Sequence, residues 1–567
     1  MTASYAEPVL PARAPLPLGY ALLIAVAAGP VLDAAFPDGD IWPLAFLGIG
    51  LALLVQQGRR LGSAFLVGLV FGTVFFGVQI IWATTFLGVL PWAALTVFMG
   101  LWCGAGGMLI TLAYRWIPLA FPGPASRLLF LPAVVAGLWT LREAVSAVWP
   151  WGGFAWGRVA LSQSDSAISN LFPWFGISGV SFLMVFVSAA ALAAIQEGSR
   201  RGRSRSIAWT RDWIDGDAMR AAGVAAPVRS VPWAARGALV TAIAVVLVLI
   251  PAFPVTTSGT LRVGAVQGDT KAGYFDPPAH VGDNLLRQVD ETAPVYDRRV
   301  DVVVWPEGAS DVDPLENPSA AQLWDDVARR AGAPLVGGTI TSRTSHGVTR
   351  YFNTSMVWEP GKGETDHYDK KHPVPFGEYV PARPFFHAIV PDLIDLIQRE
   401  YTPGTTDDVM DIGKTIASVA ICFDIVDDQI MTDGVREGGR IVLAPTNNAD
   451  FGQFTDESVQ QLAIARIRAR ELGRSVVNIS TVGTSAIIHP DGSEHDRLPT
   501  YTPGVIVDDV PLVTTMTPAV LGGRQIEWLV CGLGIGALIA GALVAASDRR
   551  FRRSQRSRRR RPSGHIG

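Results

Sequence analysis

Charge is what this chain has least of where it begins. Over roughly the first 200 of its 567 residues acids and bases are few, and charged residues make up only 17% of the whole against 49% hydrophobic. An ordinary water-soluble enzyme of this size is excluded by that balance. Cysteine is scarce as well. Three cysteines cannot build a disulfide framework, and Cys103 and Cys531 lie inside apolar segments, where they read as small hydrophobes. The eight histidines are scattered singly, with no Cys/His cluster at metal-ligand spacing, so neither a metal nor a cofactor is expected. No A-x-A-like cleavage site follows the first apolar segment, which reads as a retained anchor. Internal repeats are lacking, and the only low-complexity tract is an arginine-rich tail.

What is present first is apolar length. Runs suited to a bilayer occur at about 18–36, 41–56, 61–83, 90–114, 128–149, 175–196, 236–253 and 526–546, predicting eight transmembrane helices. The loop 197–235 is basic (Arg200, Arg201, Arg203, Arg205, Arg211, Arg220, Arg229), as are the turn at Arg59-Arg60 and the tail from Arg549 to Arg561, whereas the hairpin holding Asp33, Asp38 and Asp40 is acidic. Basic loops stay in the cytoplasm. Eight crossings satisfy all these assignments with both termini inside and residues 254–525 outside. The net charge of −3 conceals this partition. A basic tail beside a membrane helix reads as a contact with anionic lipid rather than with nucleic acid. Between the fifth and sixth runs, Trp149, Trp151 and Trp156 suit the headgroup level.

Residues 257–515 differ in kind. Short Val/Ile-rich runs at 261–266, 302–305, 335–340, 416–422, 441–444, 476–480 and 485–489 read as strands buried on both faces. Helical stretches intervene at about 279–292, 318–331 and 456–473, the last with Thr455-Asp456 as cap candidates and Gly473 as its stop. Alternation of this sort implies layered α/β sheets.

Three polar signals stand at the ends of strand-like runs: Trp305-Pro306-Glu307, Tyr368-Asp369-Lys370-Lys371-His372, and Ile421-Cys422-Phe423-Asp424. Taken singly, a Glu after a strand is usually solvated, a Lys pair is usually surface charge, and a Cys closing an apolar strand is usually inert. Together they supply a base, a cation and a nucleophile where strand ends meet, which is where α/β folds build sites.

These motifs, with Val374-Pro375-Phe376-Gly377-Glu378-Tyr379-Val380-Pro381, Val266-Gln267-Gly268 and the run from Ala465 to Arg474, resemble the nitrilase (carbon–nitrogen hydrolase) superfamily. Joined to the flanking helices, Trp149-Pro150-Trp151 and Leu161-Ser162-Gln163, they resemble its membrane-embedded branch, the apolipoprotein N-acyltransferase family. The resemblance covers nearly the whole chain. It implies an αββα sandwich and a division into helices 1–6 (1–196), a cytoplasmic loop (197–235), helix 7 (236–256), an extracytoplasmic nitrilase-like catalytic domain (257–515), a linker with helix 8 (516–546) and a cytoplasmic tail (547–567). It implies a bacterial cytoplasmic-membrane enzyme acting as a monomer.

The resemblance further implies that Glu307 is the general base, Cys422 the nucleophile, and Lys370 the cation beside the thiolate, lowering its pKa. Glu378, Phe423, Asp424, Gln267 and Trp305 are expected to support them. The implied reaction is ping-pong, with a phospholipid as acyl donor and a diacylated lipoprotein as acceptor. Two departures stand out: Phe423 and Asp424 occupy positions where the family carries Tyr and Glu. Asp450 and Pro373 depart as well, from an aromatic and a Leu. An apolar stretch at 383–403, with Phe385, Phe386 and Ile389, is expected to be either a core helix or a lid touching lipid. Trp151, Arg142 and Glu143 are further substrate-contact candidates, the last two being charges within an apolar run. Two other readings compete: a membrane-tethered amidase or nitrilase with the same triad, and a non-catalytic scaffold or transporter.

Overall fold

In the computed structural model, residues 14–199, 231–270 and 278–559 are described. Most of the basic loop and the end of the arginine tail therefore lie outside the described residues. Every apolar run folds as a helix: α1 (Leu18–Asp33), α2 (Leu44–Gln56), α3 (Leu61–Gln79), α4 (Val89–Ala120), α5 (Leu131–Val148), α6 (Phe172–Ser199), α7 (Trp233–Val248) and, after the second domain, α12 (Pro518–Arg559). Among the described residues, five are long and apolar enough to cross a membrane: α3, α4, α5 with its preceding turn, α6 and α12. The 16, 13 and 16 residues of α1, α2 and α7 fall short of the about 20 that a bilayer core asks for. The helices approach closely through small residues. A Cβ on Gly72 would lie 2.5 Å from that of Cys103, so α3 and α4 meet backbone to backbone there.

The second domain is built from two six-stranded sheets. One has the order β12-β1-β2-β3-β4-β5 and the other β11-β10-β9-β8-β7-β6. The first comprises β1 (Thr257–Gln267), β2 (Val302–Val304), β3 (Leu335–Ser345), β4 (Val348–Glu359), β5 (Gly363–Asp369) and β12 (Gly504–Val513). The second comprises β6 (Val409–Asp411), β7 (Ile416–Val419), β8 (Ile441–Thr446), β9 (Val476–Ser480), β10 (Ser485–Ile488) and β11 (Glu494–Leu498). The centre of each sheet is parallel (β1–β2–β3 and β7–β8–β9), and the outer pairs are antiparallel. Leu261, Val263, Val302, Val304, Val419, Ile441, Leu443 and Val477 interdigitate between the sheets. The helices α8 (Asp283–Glu291) and α9 (Pro318–Ala331) cover the outer face of the first sheet, around Trp305 and Trp324.

The outer face of the second sheet is covered by α10 (Asp428–Arg436) and α11 (Glu457–Leu472), and its core runs without a break into that of the helical bundle. The layers are α-β-β-α, with the last layer pressed on the membrane helices. Buried charges fasten that contact. Arg158, between α5 and α6, makes two bonds to the Asp428 carboxylate at 2.6 and 2.8 Å; Arg468 reaches the same carboxylate at 2.8 Å and also pairs with Glu471. Glu471 in turn accepts the backbone N–H of Ile177 at 3.2 Å, just past a break in α6 where Gly176 has φ 67°. Gln460 accepts the indole N–H of both Trp82 (3.2 Å) and Trp156 (2.7 Å).

Several expectations need correction. Strand β7 ends at Val419 rather than 422, because Cys422–Val426 turns as a 3-10 helix. Asp456 precedes α11 but no side chain caps it. The stretch 383–403 is no continuous helix: it forms two short turns, Arg383–His387 and Pro391–Ile394, each with a proline in its first two positions.

Candidate active site

Cys422 follows β7, the strand next to the edge of its sheet, and its backbone is in the left-handed region at φ 50°. A non-glycine residue there is uncommon and costs roughly 1–3 kcal/mol, an outlay met by the surrounding fold and associated with functional sites. The turn presents Cys422 part-exposed while Ile421 and Ile425 on either side are buried. Glu307 lies just past β2, which Pro306 terminates. Residue 338 on β3 has to be glycine for this, since a Cβ there would lie 2.8 Å from the Glu307 Cα. Lys370 follows β5, anchored by its backbone N–H to the Asn353 carbonyl at 2.8 Å. Strand ends from both sheets thus converge on one edge of the sandwich.

Lys370 is 1% exposed and Glu307 7%. The Lys370 ammonium lies 3.3 Å from Glu307 Oε1 and 2.7 Å from Glu378 Oε1. Glu307 is held at both oxygens: Asn353 Nδ2 donates to Oε1 at 2.7 Å, and the Asn447 N–H donates to Oε2 at 2.8 Å. Glu378 accepts the Val374 N–H at 2.8 Å, which fixes the loop that carries it. Lys371 points elsewhere, to Asp408 at 2.6 Å. Burial alone would lower the Lys370 pKa, but Glu307 and Glu378 together hold it well above the usual lysine value, so the ammonium is permanent.

The thiol departs from expectation. Although the residue is part-exposed, it packs against the core between the sheets, and that desolvation, then the Glu307 carboxylate, push the Cys422 thiol well above its ordinary range, with Lys370 offsetting only part of this. The reason is the local balance: burial and the Glu307 carboxylate oppose the thiolate while Lys370 favours it. The resting nucleophile is a thiol, and a base must remove its proton as the new bond forms.

The departing residues are both engaged. Asp424 is fully buried and accepts from the Tyr368 hydroxyl at 2.8 Å and the His372 N–H at 3.0 Å, tying the Cys422 turn to the segment bearing Lys370. Phe423 stacks on Phe154 and Trp156 from the helical part, at centroid distances of 6.1 and 6.3 Å. Gln267 and Trp305 are buried farther back. Gln267 binds the Pro499 and Thr502 carbonyls and Ser485, while the Trp305 indole donates to Thr292. Trp151 sits edge-on to Phe376 (6.1 Å) and Phe386 (5.7 Å), so the Glu378 loop touches the bundle through an aromatic group. Phe385 and Ile389 are exposed, at 62% and 59%. Arg142 and Glu143 are buried in the bundle and pair at 3.3 Å, Glu143 also accepting from the Trp139 indole at 2.8 Å.

Residues that the sequence reading missed are Asn353, Asn447, Asn448 and Glu457. Asn448 Nδ2 donates to the buried Glu457 at 2.7 Å, and burial lifts that carboxyl to about 8. Asn448 sits in the polar stretch after β8 and Glu457 opens α11, where nothing in the spacing sets them apart.

Two family profiles match the chain: the apolipoprotein N-acyltransferase N-terminal domain over residues 28–190, and the carbon-nitrogen hydrolase family over residues 262–517. An apolipoprotein N-acyltransferase of Mycolicibacterium smegmatis is 29% identical over 539 residues, spanning 92% of this chain and 85% of that one. One from Pseudomonas putida is 27% identical over 536 residues, spanning 92% and 97%. Among solved structures, an amidase from Nesterenkonia sp. matches 46% of this chain and 94% of its own at 17% identity and a TM-score of 0.33, too slight a likeness to add weight. With profiles on both parts and relatives aligned almost end to end, the chain belongs to the apolipoprotein N-acyltransferase family.

Proposed function

We propose that this chain is a phospholipid-dependent N-acyltransferase of the bacterial cytoplasmic membrane. It moves a fatty acyl group to the N-terminal S-diacylglyceryl-cysteine of lipoproteins through a thioester on Cys422. The observation that carries this reading is a part-exposed cysteine beside a buried Glu307–Lys370–Glu378 cluster, in a domain whose core is continuous with a membrane bundle. Glu307 takes the thiol proton as Sγ attacks the donor ester carbonyl. Lys370 and the N–H of Phe423 stabilise the oxyanion. Collapse breaks the ester C–O bond, and Glu307 returns the proton to the departing lysophospholipid oxygen. The neutral α-amine of the acceptor then attacks the thioester. Glu307 accepts its proton and passes it to sulfur as the C–S bond breaks, leaving an amide and the free thiol.

Eight crossings, with α1, α2 and α7 completing the set, give both termini a cytoplasmic position and residues 257–515 an extracytoplasmic one. The exposed Phe385 and Ile389, beside Phe386 and Trp151, serve as the lid that meets the acyl chain. The buried Arg142–Glu143 pair serves the bundle interior and bears on the donor headgroup only through that interior. Nothing in the scheme asks for more than a monomer.

The test is direct. Purified protein is incubated with acyl-labelled phospholipid and Cys422 is analysed by mass spectrometry, before and after a diacylated lipopeptide is added. A thioester that the lipopeptide discharges is expected. No thioester in the wild type, or an equal one in Cys422→Ala, overturns the enzyme reading. Discharge by water alone turns it into a membrane-tethered carbon–nitrogen hydrolase.

A further inference from the structure

The two sheets of the sandwich end in edge strands that lie next to one another, β12 in the first sheet and β11 in the second. Three ligating side chains meet across that seam. His489 follows β10, His495 lies on β11, and Asp508 lies on β12. Their ligand atoms all fall within 4.8 Å of one another. His495 Nδ1 is 2.6 Å from Asp508 Oδ2, and His489 Nε2 is 3.7 Å from the same oxygen. The imidazole rings are stacked, with centroids 4.5 Å apart. The sequence spacing hides the group, because strand pairing across two sheets brings it together.

One detail separates this group from a plain His–Asp hydrogen bond. His489 Nε2 is buried and has no hydrogen-bond partner, since 3.7 Å is too long for one. A buried ring nitrogen left open is costly unless something occupies it. Bonds of about 2.0–2.1 Å in a tetrahedron put ligand atoms roughly 3.3 Å apart, so an ion enters by opening the 2.6 Å His495–Asp508 hydrogen bond and drawing His489 Nε2 inward from 3.7 Å. The carboxylate is prepared for it as well. Asp508 Oδ1 is occupied by the Asp509 N–H at 2.8 Å, which leaves Oδ2 to face both rings. Two imidazoles and one carboxylate are the donors of zinc-class ions, whereas calcium and magnesium prefer oxygen alone.

We propose that His489, His495 and Asp508 form a site for one zinc-class divalent ion that ties the edges of the two sheets together. The His495 Nδ1 proton leaves when the ion binds, and a solvent water fills the fourth position. The site shares no residue with the cluster around Cys422, and its role is to stabilise the domain.

The full chain in detergent, without a polyhistidine tag, is stripped with a chelator and titrated with Zn2+ by calorimetry and with Co2+ by visible absorption. Uptake of one ion per chain, a tetrahedral cobalt band and a raised Tm are the expected results. All three should vanish in Asp508→Asn and in His495→Ala, while Cys422→Ala retains them. Should His495→Ala fail to fold, Asp508→Asn, which keeps the shape of the seam, decides alone. No stoichiometric uptake by the wild type overturns the site. So does equal uptake by Asp508→Asn, or uptake that disappears with Cys422→Ala.

Discussion

At the scale of single residues, the two adjacent lysines divide their work by direction. Lys370 separates Glu307 from Glu378, so Lys370→Met would leave two buried carboxylates facing each other as well as an unassisted oxyanion. Thioester formation should fall by roughly 10²–10³-fold or more, whereas Lys371→Met, which loses only the contact to Asp408, should stay within a few-fold. Single-turnover acylation of Cys422 measures both. Glu457 makes a separate prediction about pH. Its folded-state pKa is raised from 4.5 to about 8 by burial. Below pH 4.5 the carboxyl is protonated whether folded or unfolded and costs nothing. Between pH 4.5 and 8 only the folded state keeps the proton, so stability falls as pH rises, at about 1.4 kcal/mol per unit at most, and levels off above. Glu457→Gln keeps an acceptor for Asn448 and should gain on the order of a few kcal/mol at pH 8 but little at pH 5. Melting at the two pH values checks it; equal shifts would refute it. Glu307, Lys370 and Cys422 stand out in the sequence as candidates because each follows a strand-like run within a distinctive motif. Asn353 and Asn447 could not: they reach Glu307 only through the pairing of β4 beside β3 and the placing of the β8 end. The resting thiol was misjudged for a related reason, since the sequence displays the nearby cation but conceals the burial.

At the scale of elements, α10 and α11 carry the junction between the two parts. Asp427 caps α10 through the N–H groups of Gln429 and Ile430, and the next residue, Asp428, receives arginines from both parts. Asp428→Asn would leave the buried Arg158 without its charge partner. A fully buried pair broken in this way costs about 3–5 kcal/mol. Here the Asp428 side chain is 38% exposed, so about 1–3 kcal/mol is expected, seen as a lower Tm in detergent. An unchanged Tm would mean that the arginines find water instead. Strands buried on both faces were evident as Val/Ile runs, and α9 was foreseen over its full length. The strands missed, β4, β5, β6, β11 and β12, lie toward the sheet margins, where sequences such as Gly363–Asp369 and Glu494–Leu498 are largely polar and carry no apolar run to find. The stretch after Ala382 misled in the other direction. It is apolar enough for a helix, but Pro384 and Pro391 cut it into turns, and its Val380, Ile394 and Ile397 gather into a small cluster of their own.

At the scale of the molecule, the proposed topology predicts that reporters inserted between 200 and 230 and after Arg561 both behave as cytoplasmic, and that one inserted in the exposed turn at His346-Gly347 behaves as external. An external signal from the tail would require an odd number of crossings and would overturn the arrangement of eight. The sheet register has a consequence for how such a protein can be taken apart. Thr257 at the start of β1 lies opposite Val513 at the end of β12, and the chain reaches Thr257 directly from α7 and leaves Val513 directly for α12. The domain between them is therefore a cassette inserted between α7 and α12, with its two ends one strand spacing apart, about 5 Å. A two-residue turn could replace residues 258–512 and join Thr257 to Val513 across that spacing, and a foreign domain with adjacent termini could be exchanged in at the same seam.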